Sequence, residues 1–484
     1  MTALTGGSVD RKVETHDGKP QPGRVRHARR ARSWWVAAIV AVAICAGGGV
    51  VIAVSGGPGT LADELSGAGG PTSRPPDISN VSLTFDSGTA AQLVQARTMA
   101  KYSLQGTFFI NSGFIGAAGY MSRGDLQELV KAGQEIGGHT VTLADLASVS
   151  PQEAKRQVCD DRVNLTDWGF KVTSFSYPFG VVNEASEKIV KECGYNSARS
   201  TATLAGKFGC QGCAASETVV PGNAYATRAT ADIDERWTLA DLQAAVTASE
   251  SNGSWLQMVF SDGVEDNDRQ PLPNNIFDAF CAWLAKRADR GTDVRTVHEM
   301  IGQLASAAVP GPDKAAVPPG VNALVNPGLE TPGPWHLPKC WQEASYGKNT
   351  AVFTTVTPGL SGNTSAQLQV TDHKSGDAKV LPTLDMGECS PSVIAGHRYT
   401  LGAWLTSTGP TQIEVYLRDR TGTWKYWTAS PWFPASVDPV QNSWTTPAIP
   451  QGAVGLSFGF NLFSDGTIVT DDYSMFDTTG GTAP

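Results

Sequence analysis

"VSLTFDSGTAAQLVQARTMAKYSLQGTFFIN", residues 81–111, decides the fold. A short strand pattern, "VSLTFDSG", gives way to a helical run, "AAQLVQARTMAKY", and the chain re-enters strand at "GTFFIN". Strand, crossover helix and strand form the unit from which parallel sheets are built. The alternation continues. "SRGDLQELVKAG" reads as helix, "QEIGGHT" as strand and "SPQEAKRQVCDDRVNLTDWG" as helix, with Ser150 as N-cap, Pro151 in the first turn and Glu153 completing a capping box. "VTSFSYPFG", "NEASEKIVKECG", "YNSARS", "TLADLQAAVTASESNG", "SWLQMVFSDG", "NNIFDAFCAWLAKRADRG" and "DVRTVHEM" extend it to residue 305. About seven β-α units in ~225 residues predict an α/β fold, a parallel barrel rather than an open sheet.

From residue 324 the texture changes. Helical periodicity disappears, and runs such as "AQLQV", "YTLGAWL", "IEVYLRD" and "GLSFGFNLF" are separated by Gly, Pro and Ser turns. This predicts an all-β sandwich over 324–480, joined to the barrel domain (79–305) by a Pro/Ala/Gly linker, 306–323.

Upstream, residues 1–33 carry eight Lys/Arg against three acidic residues, whereas the whole chain of 484 residues has a formal charge of −9. The remainder is therefore strongly acidic, which argues against nucleic acid as a partner. "WWVAAIVAVAICAGGGVVIAV", 34–54, is uncharged and long enough to cross a bilayer; Arg24–Arg32 precede it and Trp34–Trp35 mark an interface. The alternative is a cleaved signal peptide; the length of the run and of the segment before it favours a single transmembrane helix. The positive-inside rule then places 1–33 in the cytoplasm and the main domains outside, after a flexible linker at 55–78.

Cysteine use fits export. Cys340 and Cys389 are alone in the last third and are expected to pair. Cys210-Gln-Gly-Cys213 has no second CxxC and no nearby histidine, so it reads as a loop disulfide rather than half a zinc site. The middle domain has an odd number of cysteines, and Cys281 is the expected free one.

Four strand-end loops concentrate polar and turn residues: "FDSG" (85–88), "HTVTLADL" (139–146), "YPFG" (177–180) and "FSDG" (260–263). With the flanking "GTFFIN", "GYNSAR" and "VRTVHEM", this order resembles the polysaccharide deacetylases of carbohydrate esterase family 4, the NodB homology domain, over about residues 79–305. The resemblance implies a distorted (β/α) barrel and metal-assisted hydrolysis of N-acetyl groups on sugars, with an Asp base, one Asp and two His ligands, a backbone oxyanion donor and a late His acid. Carried over, Asp86 matches the base and His139 the first histidine ligand. Phe179 matches the backbone oxyanion donor, with Tyr177 beside it as a substrate contact. Ser87 stands in place of the aspartate ligand, Leu143 of the second histidine, Ser176 of the arginine in the third motif and Ser261 of the acid. Leucine has no donor atom and serine is a poor substitute for a carboxylate, so His139 is left as a residual ligand. Asp145 and Asp262 are nearby substitutes with ordinary readings as cap and turn residues.

These losses favour a membrane-anchored protein that docks N-acetylated envelope or extracellular polysaccharide with impaired chemistry and no cofactor. The alternatives are an active deacetylase using zinc or another divalent ion in a rearranged site, or an envelope scaffold. In the second domain, "LVNPGLE" and "TDDYSM" resemble the borders of carbohydrate-binding sandwich modules, which implies a structural calcium at Glu330 and Asp472. "GTWKYWTASPW" places Trp424 and Tyr426 on one face and Trp427 on the other, the first two as candidate sugar-stacking residues.

Overall fold

The structure, a computed structural model, describes residues 79–250, 253–265, 269–333 and 336–479. The basic segment, the hydrophobic run 34–54, the linker 55–78 and Trp335 lie outside the described residues. Among the described residues no helix is long and apolar enough to cross a membrane.

The barrel domain follows the expected alternation. Its elements are β1 (Ser79–Phe85), α1 (Gln92–Lys101), β2 (Gly106–Ile110), α2 (Arg123–Lys131), β3 (Glu135–Gly138), α3 (Pro151–Asp167), β4 (Ser174–Ser176) and α4 (Glu184–Glu192). Then come β5 (Ser197–Arg199), β6 (Glu217–Thr218), α5 (Leu239–Ser249), β7 (Ser254–Phe260), α6 (Asn274–Leu284), β8 (Thr292–Val294) and α7 (Val297–Ile301). The sheet runs β5-β4-β3-β2-β1-β7-β6, with β8 added along the first half of β1. Its pairings are parallel except β6 with β7.

Between β5 and β7 the barrel is closed by an irregular stretch, residues 224–233. Thr227 bridges to Arg199 and Ile233 to Phe260, both parallel, while the Thr230 N–H donates to the Gln257 carbonyl at 3.0 Å. This stretch has no strand alternation in its sequence and is held by backbone and hydroxyl bonds. Between the sheet and α6, Phe85 stacks on Phe108 and on Phe260, and Phe277 of α6 meets Phe85 and Phe260 edge-on.

Helix caps come largely where the sequence puts them. Ser122, Asn183, Thr238 and Thr296 form capping boxes. Ser150 caps α3, but the box expected with Glu153 is only half made. The Ser150 side chain accepts from Glu153 N, whereas the Ser150 N–H donates to Glu388. Glu153 is fully buried, bonded to Arg156, Gln157 and the Met386 N–H. The second domain has drawn that carboxylate away from its own helix terminus. Cys159–Cys193, Cys210–Cys213 and Cys340–Cys389 are disulfides, and Cys281 is free and buried.

The linker is laid along the barrel. Arg162 donates to the carbonyls of Ser306 and Ala307, and Asp160 accepts from Gly311 N. The second domain contains β9 (Trp341–Val356), β10 (Ser365–Pro382), β11 (Tyr399–Ser407), β12 (Ile413–Asp419), β13 (Trp424–Ala429), β14 (Ser436–Thr445), β15 (Ala453–Leu462) and β16 (Gly466–Asp477). The hydrogen-bonded order is β13-β12-β15-β10-β16-β11-β14, with β9 along β10. The long strand β10 pairs with β16 over Ala366–Val370 and with β15 at Ala378–Lys379, so one strand serves both layers around a bulge at Thr371/Ser375. Trp341, Phe353, Phe458, Phe460 and Tyr473 lie in the core between the layers, and Trp427 packs against it.

The sandwich meets the barrel behind the 139–146 loop. Asn164 of α3 donates to the Thr421 carbonyl at 2.8 Å, and a Cβ at Gly422 would collide with Val141.

Candidate active site

The loops after β1, β3, β4, β5 and β7 converge at the carboxyl ends of the strands, where barrels of this kind carry their chemistry. After β1 the backbone turns through left-handed conformations at Ser87 (φ 76°) and Gly88 (φ 74°). A side chain at Gly88 would run into Ile110, whereas Ser87 holds a conformation disfavoured for residues with a Cβ. The Ser87 hydroxyl is buried and has no hydrogen-bond partner among the described residues.

His139 follows β3 and is fully buried. Its backbone N–H lies 3.0 Å from both the Ile110 carbonyl and Asp161 Oδ2. Small residues precede it for a reason: a Cβ at Gly138 would overlap the Tyr195 hydroxyl and Asp161. The ring is fixed at both nitrogens, with Nδ1 2.8 Å from the Ser176 carbonyl and Nε2 2.7 Å from Glu265 Oε1. A carbonyl can only accept, so Nδ1 carries a proton and Nε2 is the nitrogen turned to the cluster.

The sequence reading did not find Glu265. It follows β7 in the acid-rich run "SDGVEDND", and its second oxygen accepts from Phe179 N at 3.0 Å. Phe179 is itself left-handed (φ 59°), which turns its N–H into the site. Asp86, His139 and Glu265 place one ligand atom each within 4.8 Å of one another. His139 therefore stands in a cluster, not alone as a residual ligand.

Arg199, at the end of "GYNSAR", is the second residue that no motif position announces. Ser176 and Arg199 are register partners on β4 and β5. The arginine missing at Ser176 is thus found one strand over at the same height, where Nη2 donates to Asp86 Oδ1. Asp232, in "ADIDERW", is the third. Asp86, Asp232, Ser261, Asp262 and Glu265 line one small cleft with Val259 and Phe260.

The remaining expected residues divide between the cleft and other places. Tyr177 is fully buried and donates its hydroxyl to the Tyr225 carbonyl, so it cannot touch a substrate from the cleft. Leu143 is half-buried at φ 58°. Asp145 caps Ala147 and Ser148. Ser261 lines the cleft, its hydroxyl accepting from Gly263 N. Asp262 accepts from Val264 N as the expected turn residue, but also faces the cleft. In the sandwich, Glu330 accepts from Asn363 N and Thr364 N, and Asp472 sits at φ 44° close to Gly328. Trp424 is turned to the junction with its indole N–H on the Asp385 carbonyl, whereas Tyr426 is 43 % exposed.

Four carboxylates share the cleft with Arg199 and His139 as its cations. Burial and then the Glu265 and Asp86 charges raise Asp232 to about 7, and burial with the same two charges raises Asp262 to about 7. Asp161 is raised to about 7 by burial. For His139, burial alone lowers the pKa, but Asp86 and Glu265 outweigh it and raise it to about 9. All four groups bind protons more tightly folded than unfolded. The carboxyls therefore lose stability as pH rises toward 7, and His139 as it rises toward 9. The metal-free protein is expected to unfold at a higher urea concentration at pH 5.5 than at pH 8.5; a midpoint that rises with pH would contradict this assignment.

Residues 73–198 match the family model for polysaccharide deacetylase. Among curated proteins, the chain is 28% identical over 131 residues to the putative polysaccharide deacetylase YxkH of Bacillus subtilis, covering 26% of this chain and 47% of that protein. It is 25% identical over 121 residues to the peptidoglycan-N-acetylglucosamine deacetylase of Bacillus cereus, covering 24% and 54%. The chain thus spans about half the length of the curated relatives it matches. Similar solved structures include peptidoglycan deacetylase PdaC from Bacillus subtilis (17% identity, 47% of this chain, 92% of that one, TM-score 0.31). Another is a family 4 carbohydrate esterase from Streptomyces lividans in complex with acetate (14%, 47%, 97%, TM-score 0.32). The family match ends one residue before Arg199, so Asp86, His139 and Phe179 fall inside it and Arg199, Asp232 and Glu265 outside. Residues 73–198 thus carry the match to a polysaccharide deacetylase domain of the NodB type, and an all-β domain is present in the later part of the chain.

Proposed function

We propose that the barrel removes N-acetyl groups from cell-envelope glycan through a rearranged metal site, with Asp86, His139 and Glu265 holding a divalent cation. The observation that carries this reading is the meeting of those three ligand atoms from three separate strand-end loops. Two carboxylates and an imidazole whose other nitrogen is fixed by a carbonyl suit zinc or a similar ion, and the orphaned Ser87 hydroxyl beside Asp86 leaves a polar group to satisfy. Such an ion, when bound, polarises the acetamide carbonyl and activates water.

The chain's own groups supply the rest. Arg199 balances the Asp86 charge while no cation is bound. The Phe179 N–H, bonded to Glu265 in this structure, would be the donor to the acyl oxygen if that carboxylate served as a ligand. Asp232 and Asp262 stand beside Ser261 as the carboxyls that can hand a proton to the leaving amine. An N-acetylglucosamine polymer of the envelope is the proposed substrate, in keeping with the activity for which the Bacillus cereus relative is named. Anchoring through 34–54 with both domains outside the membrane completes the proposal, supported by the uncharged run and by three disulfides.

A specific observation favours the rival reading, a silent glycan-docking barrel. Arg199 neutralises Asp86, and Glu265 bridges His139 and Phe179, so the charges close without an ion. Acetate release from N-acetylglucosamine oligomers separates the two. Activity that a chelator abolishes, with about one equivalent of metal bound, is expected for a three-ligand site. A protein that takes up no metal and releases no acetate above background would leave the silent reading standing.

A further inference from the structure

The sandwich contains an unusual floor. On the β13-β12-β15-β10-β9 face, alternation directs Ile413, Val415 and Leu417 of β12 into the core and Glu414 and Tyr416 outward. On β10 it does the same with Ala378 and Val380 against Asp377 and Lys379. Outward residues are normally solvated, yet Asp377 and Lys379 are 0 % and 1 % exposed. Lys379 Nζ lies 2.7 Å from both Asp377 Oδ2 and Glu414 Oε2.

The cover is aromatic. Tyr346, the register partner of Asp377, has its ring centre 5.8 Å from Lys379 Nζ, and the Tyr416 ring is 5.5 Å away. Tyr416 meets Tyr426 edge-on at 5.9 Å. Tyr346 and Tyr426 are 39 % and 43 % exposed, so each turns one side to the buried charges and the other to solvent. Neighbouring polar groups are unfilled. Asn461, the partner of Lys379 on β15, is fully buried with no hydrogen bond to its Nδ2, and neither Asp377 oxygen makes a hydrogen bond of good geometry.

We propose that Tyr346 and Tyr426 form a stacking platform for the pyranose rings of an uncharged polysaccharide, held rigid from below by the Asp377–Lys379–Glu414 cluster. An inorganic cation does not fit, because the Lys379 ammonium already lies between the two carboxylates. A buried ion cluster is an expensive way to stabilise a sheet. What it provides here is fixed ring orientation, through cation–π contacts of Lys379 with Tyr346 and Tyr416 and the edge-on contact of Tyr416 with Tyr426. Ring faces with polar edges are the complement of a sugar, apolar across its C–H face and hydroxylated at its rim. This platform is independent of the barrel chemistry.

The test uses the full chain in mild detergent with a chelator present, bound to insoluble chitin and to purified peptidoglycan. Wild type should be retained on at least one of them. Tyr346→Ala and Tyr426→Ala should each weaken retention about three- to tenfold, while the Tyr→Phe variants keep it, since stacking needs the ring and not the hydroxyl. Trp404→Ala, removing a 40 % exposed ring on the opposite layer, should have no effect. Absence of wild-type retention on both polymers, or wild-type retention by the double alanine variant, would overturn the platform and leave the barrel reading untouched.

Discussion

Glu265→Ala should lower the affinity of the barrel for zinc by more than about 100-fold, because it removes one of only three donors. Leu143 supplies no atom and Ser87 only a neutral hydroxyl, so without Glu265 the ion would be held by one imidazole and a carboxylate already bonded to Arg199. Acetate release should fall with metal occupancy. Glu265→Gln tests the same point more finely. Its amide oxygen can still accept from Phe179 N, so the loop is kept, but an uncharged oxygen is a weak ligand and zinc affinity should drop almost as far. Adding Leu143→His to Glu265→Ala supplies an imidazole from the 139–146 loop and should recover binding. Competition with a chromophoric chelator measures all three variants. Affinity in Glu265→Ala within about threefold of wild type would remove this residue from the ligand set, since losing even a group that only orients a ligand costs about 10- to 100-fold.

Much of the barrel was legible because two periodicities, 2 for strands and 3.6 for helices, alternate along 81–301. Its closure was not. Residues 224–233 complete the barrel through backbone bonds with Ala198, Ser200, Gln257, Val259 and Ser261, and a segment held that way needs no hydrophobic alternation. The site divides along the same line. Asp86, His139 and Phe179 sit on short, strained turns whose residues can be matched position by position. Arg199 and Glu265 act across space: one reaches Asp86 from the neighbouring strand at the register of Ser176, the other from a loop after β7. A substitution at a motif position reports a lost side chain, but it cannot report a functional group arriving from another strand. Ser87, Leu143 and Ser261 thus point to impaired metal chemistry by the side chains they lack, and they carry no information about Glu265. The half-made box at Ser150 has a similar origin, since only the folded chain brings Met386 to Glu153.

Arg199→Met should be the most destabilising substitution in the barrel, at about 3–5 kcal/mol in the presence of a chelator. Methionine approximates the length of the side chain over the Phe109 ring, so the loss is chiefly electrostatic: Asp86 stays buried without its cation. Two further measurements distinguish this from a packing defect. Arg199→Met combined with Asp86→Asn removes both charges and should recover most of the lost stability, a coupling that independent sites would not show. Zinc should act in the same direction. Arginine and metal compete for one carboxylate in the proposed site, so the variant should bind zinc more tightly than wild type and gain more stability from it; a ligand at 100 times its Kd contributes about 2.7 kcal/mol. Denaturant midpoints of both proteins, with chelator and with excess zinc, give the answer. An equal zinc response in the two would mean that Asp86 does not share in metal binding and that its partner is Arg199 alone. A larger response in the variant would place the cation against Asp86 and identify Arg199 as the group that occupies this carboxylate when no metal is bound.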